Sequence, residues 1–332
     1  MSKVFDLWNE VGGAFGPSGR EDAVREAIAA IAGEYIDDVT TDALGNLICR
    51  KKGSGKKVLF AAHMDSIGVV ATYIDEKGFI RFSQVGGLFK GDLINITVRF
   101  ANGTRGVIAY EEKTPFKDLT LDNLFIDIGA KDRVDAEKHV QVGDFAVFEA
   151  PRFEQNGVLC GPYLDNRIGC VTLLRAMEQV GETDNDLYFV FTAQEEVGLR
   201  GAGAAAFAVQ PDVAIAVDVT DTGDLPERKT PMAVDMGKGP AVKVMDRSVI
   251  CTPAVCAALE QAAHDCGVAT QREILQFGGT DTAALQKARA GVQAGAVSIP
   301  TRYIHSPSEM CAVSDVEEAA KLLARFAVTF GA

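Results

Sequence analysis

The side chains of this chain that could do chemistry are histidines and acids placed where hydrophobic, strand-like stretches end. In open α/β sheets, ligands bind beyond the carboxyl ends of the strands, so side chains at these positions meet at one edge of the sheet. The candidates at such ends, or just before a predicted helix, are His63, Asp165, Glu195, Glu196, Asp218 and His305. Both histidines with three of the acids would form a donor set that suits Zn²⁺, Co²⁺ or Mn²⁺ better than Mg²⁺ or Ca²⁺. The sequence therefore predicts a metal centre at this edge.

Each of these residues also has an ordinary structural explanation. A single histidine at a strand end is more often a surface or capping residue than a metal ligand. Asp165 before a helix could be an N-cap, and Asp218 could close a turn. Glu195 and Glu196 could lie in a solvated loop. The convergence of several candidates on one edge of one sheet favours the metal-site interpretation.

Two local patterns suggest a division of roles. In an extended backbone the side chains of His63 and Asp65 point to the same side, so Asp65 could orient the imidazole and fix its tautomer. Glu195 and Glu196 are adjacent, so their side chains must point to different sides. One of the two could bind a metal ion while the other stays free as a general base beside an activated water molecule.

The elements that must position these residues alternate between strands and helices. Apolar runs and helical periodicity predict these elements at 58–62, 168–180, 187–191, 202–209, 213–217, 252–266, 292–299 and 313–330. Such alternation indicates an α/β fold with a mostly parallel sheet and helices on both faces.

A β-rich insert interrupts the α/β pattern. Between residues 68 and 153 the chain consists mainly of short strands and turns. We therefore expect a catalytic domain formed by residues 1–67 and 159–332, and an inserted β-rich domain formed by residues 68–158. Exposed strand edges in a small inserted domain are natural pairing surfaces, so the insert is expected to serve oligomerisation.

A capping pattern marks the start of one helix. Residues 19–33 have apolar side chains at helical spacing, Ser18 precedes them, and Glu21 lies three residues after Ser18. Ser18 as N-cap together with Glu21 would form a capping box. The helix is therefore expected to begin directly after Ser18.

Composition excludes several classes of protein. The net charge of −13 disfavours nucleic acids and anionic membranes as partners. The sequence has no signal-peptide pattern and no uninterrupted apolar run of about 18 residues, so neither secretion nor a membrane span is expected. The seven cysteines are scattered without a Cys-x-x-Cys pair. That distribution favours reduced thiols in a cytoplasmic protein over a disulfide framework or a zinc ribbon.

Short blocks along the chain carry a family resemblance. They are PSGRE at 17–21, AHMD at 62–65, LDNR at 164–167, AQEEVG at 193–198, AVDVT at 216–220, GGTD at 278–281 and SIPTRYIHSP at 298–307. In these blocks, which follow the family order, the sequence resembles the tetrahedral aminopeptidase family. That family includes glutamyl aminopeptidases and relatives once labelled cellulase M.

The resemblance implies two divalent metal ions per subunit, with zinc or cobalt expected first and manganese next. The implied ligands are His63 and Asp218 for one ion, Glu196 and His305 for the other, and Asp165 as the bridge between them. Glu195 is implied as the general base, and Asp65, which is expected to orient His63, is counted with it among the catalytic residues. A cis peptide bond between Asp165 and Asn166, as in related di-metal aminopeptidases, is also expected.

The implied activity is the hydrolysis of N-terminal residues from peptides. The implied assembly is a homo-oligomer, commonly a twelve-subunit tetrahedron built from dimers. Two positions depart from the family pattern. Ser66 stands where relatives often have glutamate, and residues 111–115 replace a segment rich in Ser, Lys and Pro that often includes a histidine. Neither change affects a metal ligand, whereas the second affects the expected assembly contacts.

Two other functions remain as alternatives. In a glycoside hydrolase, Glu195 and Glu196 would be paired carboxylates about 5–9.5 Å apart. That interpretation leaves both candidate histidines and both aspartates without a function, and the chain has one tryptophan for stacking against sugars. A non-enzymatic scaffold with a degenerate site would require a missing ligand, and every ligand position of the family pattern is filled.

Overall fold

A computed structural model describes residues 1–228 and 230–331 of the chain. Its strands form a large sheet and a closed barrel. The strands, numbered in chain order, are β1 (Asp38–Thr41), β2 (Leu47–Lys51), β3 (Lys57–His63), β4 (Gly68–Ile74), β5 (Ile80–Val85), β6 (Thr97–Phe100), β7 (Arg105–Tyr110), β8 (Leu124–Asp127), β9 (Phe145–Glu149), β10 (Phe153–Gln155), β11 (Val158–Gly161), β12 (Asp186–Thr192), β13 (Val213–Thr220), β14 (Ala241–Met245), β15 (Gln271–Ile274), β16 (Gln293–Arg302) and β17 (Glu309–Ala312).

The helices lie mainly between the strands of the large sheet. They are α1 (Lys3–Gly13), α2 (Asp22–Ala32), α3 (Lys90–Leu93), α4 (Arg133–Ala136), α5 (Leu164–Gln179), α6 (Arg200–Val209), α7 (Pro253–Asp265), α8 (Thr282–Gln286) and α9 (Val313–Thr329), with short 3₁₀ helices at Phe116–Asp118 and Leu121–Asn123. Within residues 1–228 and 230–331, no helix has the length and apolar character needed to cross a lipid bilayer.

The large sheet is mixed, so the expectation of a mostly parallel sheet is wrong. Its order is β1-β2-β12-β3-β13-β16-β17-β11-β10, with β14 beside β16 and β15 beside β14. The central strands β12, β3, β13 and β16 are parallel. The remaining pairs are antiparallel, except that β14 is parallel to β15. The connections at 42–46 and 156–157 are too short for the crossover that a parallel pair needs, which explains the antiparallel pairs β1–β2 and β10–β11.

Helices cover both faces of the sheet. Along β3, Val58 and Phe60 face one core, which also contains buried side chains of α1, α2, α5, α7 and α9. Leu59 and Ala61 face the opposite core, which contains buried side chains of α6 and α8. Successive side chains of a strand point to opposite faces, so a strand covered on both sides is apolar throughout.

The β-rich stretch between residues 68 and 149 folds as a closed barrel in the order β4-β5-β8-β7-β6-β9, and β9 pairs back to β4. Its interior contains fully buried side chains such as Ile80, Val98 and Ile108. Each strand of the barrel has a partner on both sides, with β5 and β8 joined at Ile80 and Ile126, so open strand edges do not support the expected pairing between subunits. The role of the insert in oligomerisation stays a prediction. The domain boundary at 68–158 stays a prediction, and β10 and β11, which begin inside it, pair within the large sheet.

The start of α2 differs from the expected capping box. The hydroxyl of Ser18 donates to Asp65 Oδ2 at 2.6 Å, and the carboxylate of Glu21 accepts from the backbone N–H of Gln194 at 3.1 Å. Glu21 also accepts from the N–H of Gly19 at 2.7 Å. The capping-box prediction is therefore wrong, because α2 begins directly after Glu21 and the side chain of neither Ser18 nor Glu21 binds the first N–H groups of the helix.

The start of α6 packs tightly under the turn that follows β12. Asn46 accepts a hydrogen bond from the backbone N–H of Ala193 at 2.9 Å and donates to the carbonyl oxygen of Gly201 at 3.0 Å. A Cβ atom at Gly201 would lie 2.2 Å from Asn46 Oδ1 and 2.5 Å from Ala193 O. Gly201→Ala is expected to lower the free energy of unfolding by about 1–3 kcal/mol in urea denaturation, because the added methyl group overpacks this contact.

Gly203→Ala is the matched control in the same helix. A Cβ atom there has Ala284 Cβ as its nearest neighbour, at 3.9 Å. The control is expected to raise the free energy of unfolding by about 0.5–1 kcal/mol, since alanine favours the helix more than glycine does. Equal stabilities of the two variants would contradict the packing described for Gly201.

Candidate metal centre

The candidate site lies at the carboxyl ends of the central parallel strands. β3 ends at His63, and its partner in the adjacent strand is Thr192, the last residue of β12. Asp218 lies near the end of β13, and His305 follows β16. Because these strands are parallel, their ends bring the side chains to one edge of the sheet.

Two groups of possible metal ligands share Asp165. In the first group, His63 Nε2 lies 3.1 Å from Asp165 Oδ1 and 3.7 Å from Asp218 Oδ1. In the second group, His305 Nε2 lies 3.2 Å from Asp165 Oδ2 and 3.3 Å from Glu196 Oε2. Within each group the donor atoms all lie within 4.8 Å of one another. The carboxylate of Asp165 therefore presents one oxygen to each group.

Asp165 reaches both groups from the first turn of α5. The peptide bond between Asp165 and Asn166 is cis, as expected, and neither residue has helical dihedral angles. Asn166 Nδ2 donates to the carbonyl oxygen of Val217 at 2.8 Å, and its Oδ1 accepts from the N–H of Gly169 at 3.1 Å. These bonds tie the start of α5 to β13, directly beside Asp218.

Glu309 belongs to the site, although it is not among the residues predicted from the sequence. It is the first residue of β17 and is 1% exposed. Its carboxylate accepts hydrogen bonds from the backbone N–H groups of Asp165 and His305, each at 2.9 Å. Glu309 therefore fixes the backbone of the shared aspartate and of one histidine. The sequence pattern that could have identified Glu309 is an acid four residues after His305 and directly before an apolar run.

Asp65 contacts the other side of the His63 ring and the backbone of both glutamates. Its Oδ1 lies 3.5 Å from His63 Nδ1, and its carbonyl oxygen lies 3.2 Å from the same nitrogen. Its carboxylate accepts hydrogen bonds from the N–H groups of Glu195 and Glu196, at 2.9 and 3.2 Å. These contacts hold His63 with Nε2 toward the first ligand group.

The adjacent glutamates diverge. Glu196 contributes an oxygen to the second ligand group. Glu195 lies beside the first group, and its Oε2 is 3.9 Å from His63 Nε2. The divergence follows from the turn, in which Gln194 has a positive φ of 58° and its N–H is bound by Glu21. The two carboxylates are thus available for different tasks.

The buried groups of the site have strongly shifted pKa values. Burial raises the pKa of Glu196 to about 8, and the charge of His305 offsets this effect only in part. Burial also raises the pKa values of Glu195 and Asp218 well above the usual range. Burial opposes protonation of His305, but its contacts with Asp165 and Glu196 outweigh burial and raise its pKa to about 10. Ionisation of all these carboxyl groups would thus leave more negative charge than two imidazoles can balance.

This charge excess and the donor set fit divalent cations. Glu196 Oε1 is buried and has no hydrogen-bond partner among the described residues. A buried carboxylate without a partner is costly, and a cation beside it removes that cost. Imidazole nitrogens together with carboxylate oxygens are donors that zinc, cobalt and manganese accept.

Asp281 is another buried acid near the site that was not predicted from the sequence. It accepts a hydrogen bond from the hydroxyl of Thr192, and its Oδ1 has no partner among the described residues. Burial raises the pKa of Asp281 to about 6. The contact with Thr192 places this acid next to the strand pair that ends at His63.

The ligand groups open into a cavity of about 660 Å³. That volume is typical of sites for small molecules, which measure about 300–1,000 Å³. The residues predicted for the site that line the cavity are His63, Asp165, Glu195, Glu196, Asp218 and His305. Asp65 is fully buried and supports the site through the contacts described above. The structure therefore brings together all seven side chains that were predicted from the sequence.

A family model described as M42 glutamyl aminopeptidase matches residues 45–322, which is more than half of the chain. The chain belongs to this M42 family. The resemblance to tetrahedral aminopeptidases is thereby confirmed, and the protein is a peptidase of the aminopeptidase class. Members of the M42 family are metal-dependent, which agrees with the donor groups at the sheet edge.

Relatives of this M42 aminopeptidase match almost its full length. A protein of Acetivibrio thermocellus, provisionally assigned as an aminopeptidase, is 50% identical over 321 residues, with 96% of this chain and 97% of the relative covered. A lysyl aminopeptidase of Pyrococcus furiosus is 36% identical over 328 residues, with 92% of each chain covered.

The solved structure of a Pyrococcus horikoshii peptidase, named TET1, superposes with a TM-score of 0.89 at 31% identity. The comparison covers 98% of this chain and 100% of the other. That peptidase can assemble into a tetrahedron or a large octahedral shell.

Glu309→Gln tests the positioning of the shared aspartate. A glutamine side chain has one acceptor oxygen, and its NH₂ group would face one of the two backbone N–H groups that Glu309 now binds. Zinc affinity is expected to fall by about 10–100-fold, because metal sites commonly lose this much when a residue that holds a ligand in place is changed. Competition with a chromophoric chelator would measure it.

Glu317→Gln serves as the control, because Glu317 pairs with Arg175 outside the site. It is expected to bind zinc as the unmodified protein does. Unchanged zinc affinity in Glu309→Gln, in a protein with an unaltered circular dichroism spectrum, would show that Glu309 does not position the ligands.

Proposed function

We propose that this chain is a di-metal aminopeptidase that removes N-terminal residues from peptides. The proposed ligands are His63 and Asp218 for one cation, Glu196 and His305 for the other, and Asp165 for both. The contact of Asp165 with both groups carries the proposal, because a single-metal site would not need a carboxylate with one oxygen in each group. Zinc or cobalt suits the donors best, and manganese is the next candidate.

The cations, when bound, supply Lewis acidity that polarises a carbonyl oxygen and lowers the pKa of a water molecule. The protein's own contribution to proton transfer is Glu195. This residue would take the proton of the attacking water and return it to the leaving amine. Its position beside the first group and its raised pKa support this role, because a general base must both accept and release a proton.

Asp65 is proposed as a positioning residue. Its carboxylate lies beside His63 Nδ1 and accepts the N–H groups of both glutamates. It can therefore set the orientation of a metal ligand and of the proposed base with a single side chain. Removal of a residue that hydrogen-bonds to a metal ligand commonly lowers the metal affinity.

Replacement of the two glutamates separates base from ligand. Glu195→Gln keeps the shape of the side chain but cannot accept a proton, so metal content should stay near two ions per chain while kcat falls by about 10²–10⁴-fold. Glu196→Gln should weaken one metal site, because a neutral amide is a poorer ligand, and added metal should partly restore activity. Metal content would be measured by elemental analysis, and kcat with an aminoacyl-anilide.

The same assay distinguishes the alternatives. A chelator should abolish hydrolysis and added zinc or cobalt should restore it, which a carboxylate-pair glycoside hydrolase would not show. If Glu195→Gln loses metal while Glu196→Gln loses only rate, the two roles are reversed. If neither change affects hydrolysis, the proposed mechanism is wrong.

We further propose that the protein acts in the cytoplasm as a homo-oligomer, with dimers as the building block of a twelve-subunit assembly. The assemblies of the Pyrococcus horikoshii relative support this proposal. So do large apolar side chains exposed in the insert, because unpaired apolar surface of this kind marks interaction sites. These include Phe116 at 62%, Val134 at 68% and Val142 at 63% exposure.

Light scattering tests the assembly. The intact protein at micromolar concentration, with metal present, is expected to have the mass of a dimer multiple. Phe116→Glu should lower that mass, because it places a charge on the proposed contact surface. Phe207→Glu is the control, since Phe207 is 60% exposed but lies on α6, outside the insert. A monomeric mass for the intact protein would refute the proposal.

A further inference from the structure

The walls of the cavity beyond the ligand groups are largely apolar. They are built by the end of β13 and the segment after it, by the segment between β15 and α8, and by the segment after β16. The apolar residues that these parts contribute are Val219 and Leu225, Leu275 and Phe277, and Ile304. Val219 and Leu275 are 6% and 8% exposed, whereas Phe277 is 46% exposed. The walls therefore extend from a buried floor to an open mouth, and a side chain that enters meets mainly hydrocarbon, beside the hydroxyl groups of Thr220, Thr280 and Tyr303.

Among the lining residues that the structure describes, the charged ones outside the metal centre are Asp221 and Arg228. Arg228 donates to both carboxylate oxygens of Asp221, and its Nη1 lies 3.1 Å from Oδ1. The side chain of Asp221 is 23% exposed and that of Arg228 is 15% exposed, and Arg228 Nε is buried without a hydrogen-bond partner among the described residues. A bidentate pair of this kind neutralises the charge of both partners, so neither offers an uncompensated charge to a ligand.

A charged N-terminal side chain would find no free counter-charge in these described walls. A carboxylate or ammonium group would lose its hydration on entry without gaining an ionic partner, whereas a hydrocarbon side chain is stabilised by burial. On the basis of the proposed aminopeptidase function, we propose that this enzyme prefers peptides whose N-terminal side chain is uncharged and apolar. Asp221 sets this preference by keeping the guanidinium of Arg228 occupied.

The names of similar proteins refer to different N-terminal residues. The family description is glutamyl aminopeptidase, and the Pyrococcus furiosus relative is a lysyl aminopeptidase. A preference that varies within one family must depend on residues outside the shared chemistry. In this chain, the segment after β13 contributes Asp221, Leu225 and Arg228 to the cavity, and none of them belongs to the metal centre.

Substrates matched in length provide the test. The p-nitroanilides of methionine, glutamine and glutamate have side chains of similar length and differ in polarity, and lysine adds the opposite charge. With the zinc- or cobalt-loaded enzyme, kcat/KM for the methionine substrate is expected to exceed that for the glutamate and lysine substrates by at least about 100-fold. The glutamine substrate should fall between them.

Asp221→Asn tests the part assigned to the ion pair. The change preserves the shape of the side chain and removes its charge, which releases the guanidinium of Arg228 to bind a substrate carboxylate. The glutamate-to-methionine ratio of kcat/KM should rise by at least about tenfold. Asp224→Asn is the matched control, because Asp224 lies on the same segment as Asp221, forms an equivalent pair with Arg302 at the end of β16, and is not among the lining residues. It should leave the ratio unchanged.

The outcomes separate the two proposals. Cleavage of the glutamate or lysine substrate in preference to methionine would overturn the specificity and leave the aminopeptidase function intact. An unchanged ratio in Asp221→Asn, or an equal rise in Asp224→Asn, would overturn the role of the Asp221–Arg228 pair. If no anilide is cleaved after loading with zinc, cobalt or manganese, the aminopeptidase proposal itself fails, and the specificity fails with it.

Discussion

The carboxylate of Asp165 has one oxygen facing His63 and the other facing His305, and the rest of the site is arranged around that contact. A short side chain can reach both histidines only if its backbone is held at one place. The hydrogen bond from its N–H to Glu309 and the bonds of Asn166 to β13 and α5 supply that restraint. Each group is then completed by one further acid near the end of a neighbouring strand, Asp218 beside His63 and Glu196 beside His305.

The mixed character of the sheet explains how Glu309 comes to be there. β17 is antiparallel to β16 and to β11, so its first residue lies at the edge where those two strands end. Glu309 pairs with Gly161, the last residue of β11, from which the chain continues to Asp165. The candidate ligands other than Asp165 therefore lie at the carboxyl ends of the central parallel strands, whereas Glu309 lies at the amino end of the antiparallel strand β17.

The sequence predicts the side chains at the strand ends well, because the positions of His63 and Asp218 depend on local apolar runs and on a general property of α/β sheets. It does not predict Glu309 or Asp281, because their contacts with Asp165 and Thr192 join residues far apart along the chain. The same reason explains the error at Ser18, whose hydroxyl binds Asp65 across the fold although its local pattern is that of a helix cap. Strand direction at the sheet edges and closure of the barrel depend on which strands meet, and local periodicity does not contain that information.

Anomalous diffraction from a crystal loaded with zinc or cobalt tests the central claim most directly. The proposed roles predict two metal peaks about 3.5–4 Å apart, with the carboxylate of Asp165 between them. His63 and Asp218 should contact one peak, and Glu196 and His305 the other. A single peak at full loading, or two peaks with Asp165 bound to only one of them, would contradict the proposed di-metal site.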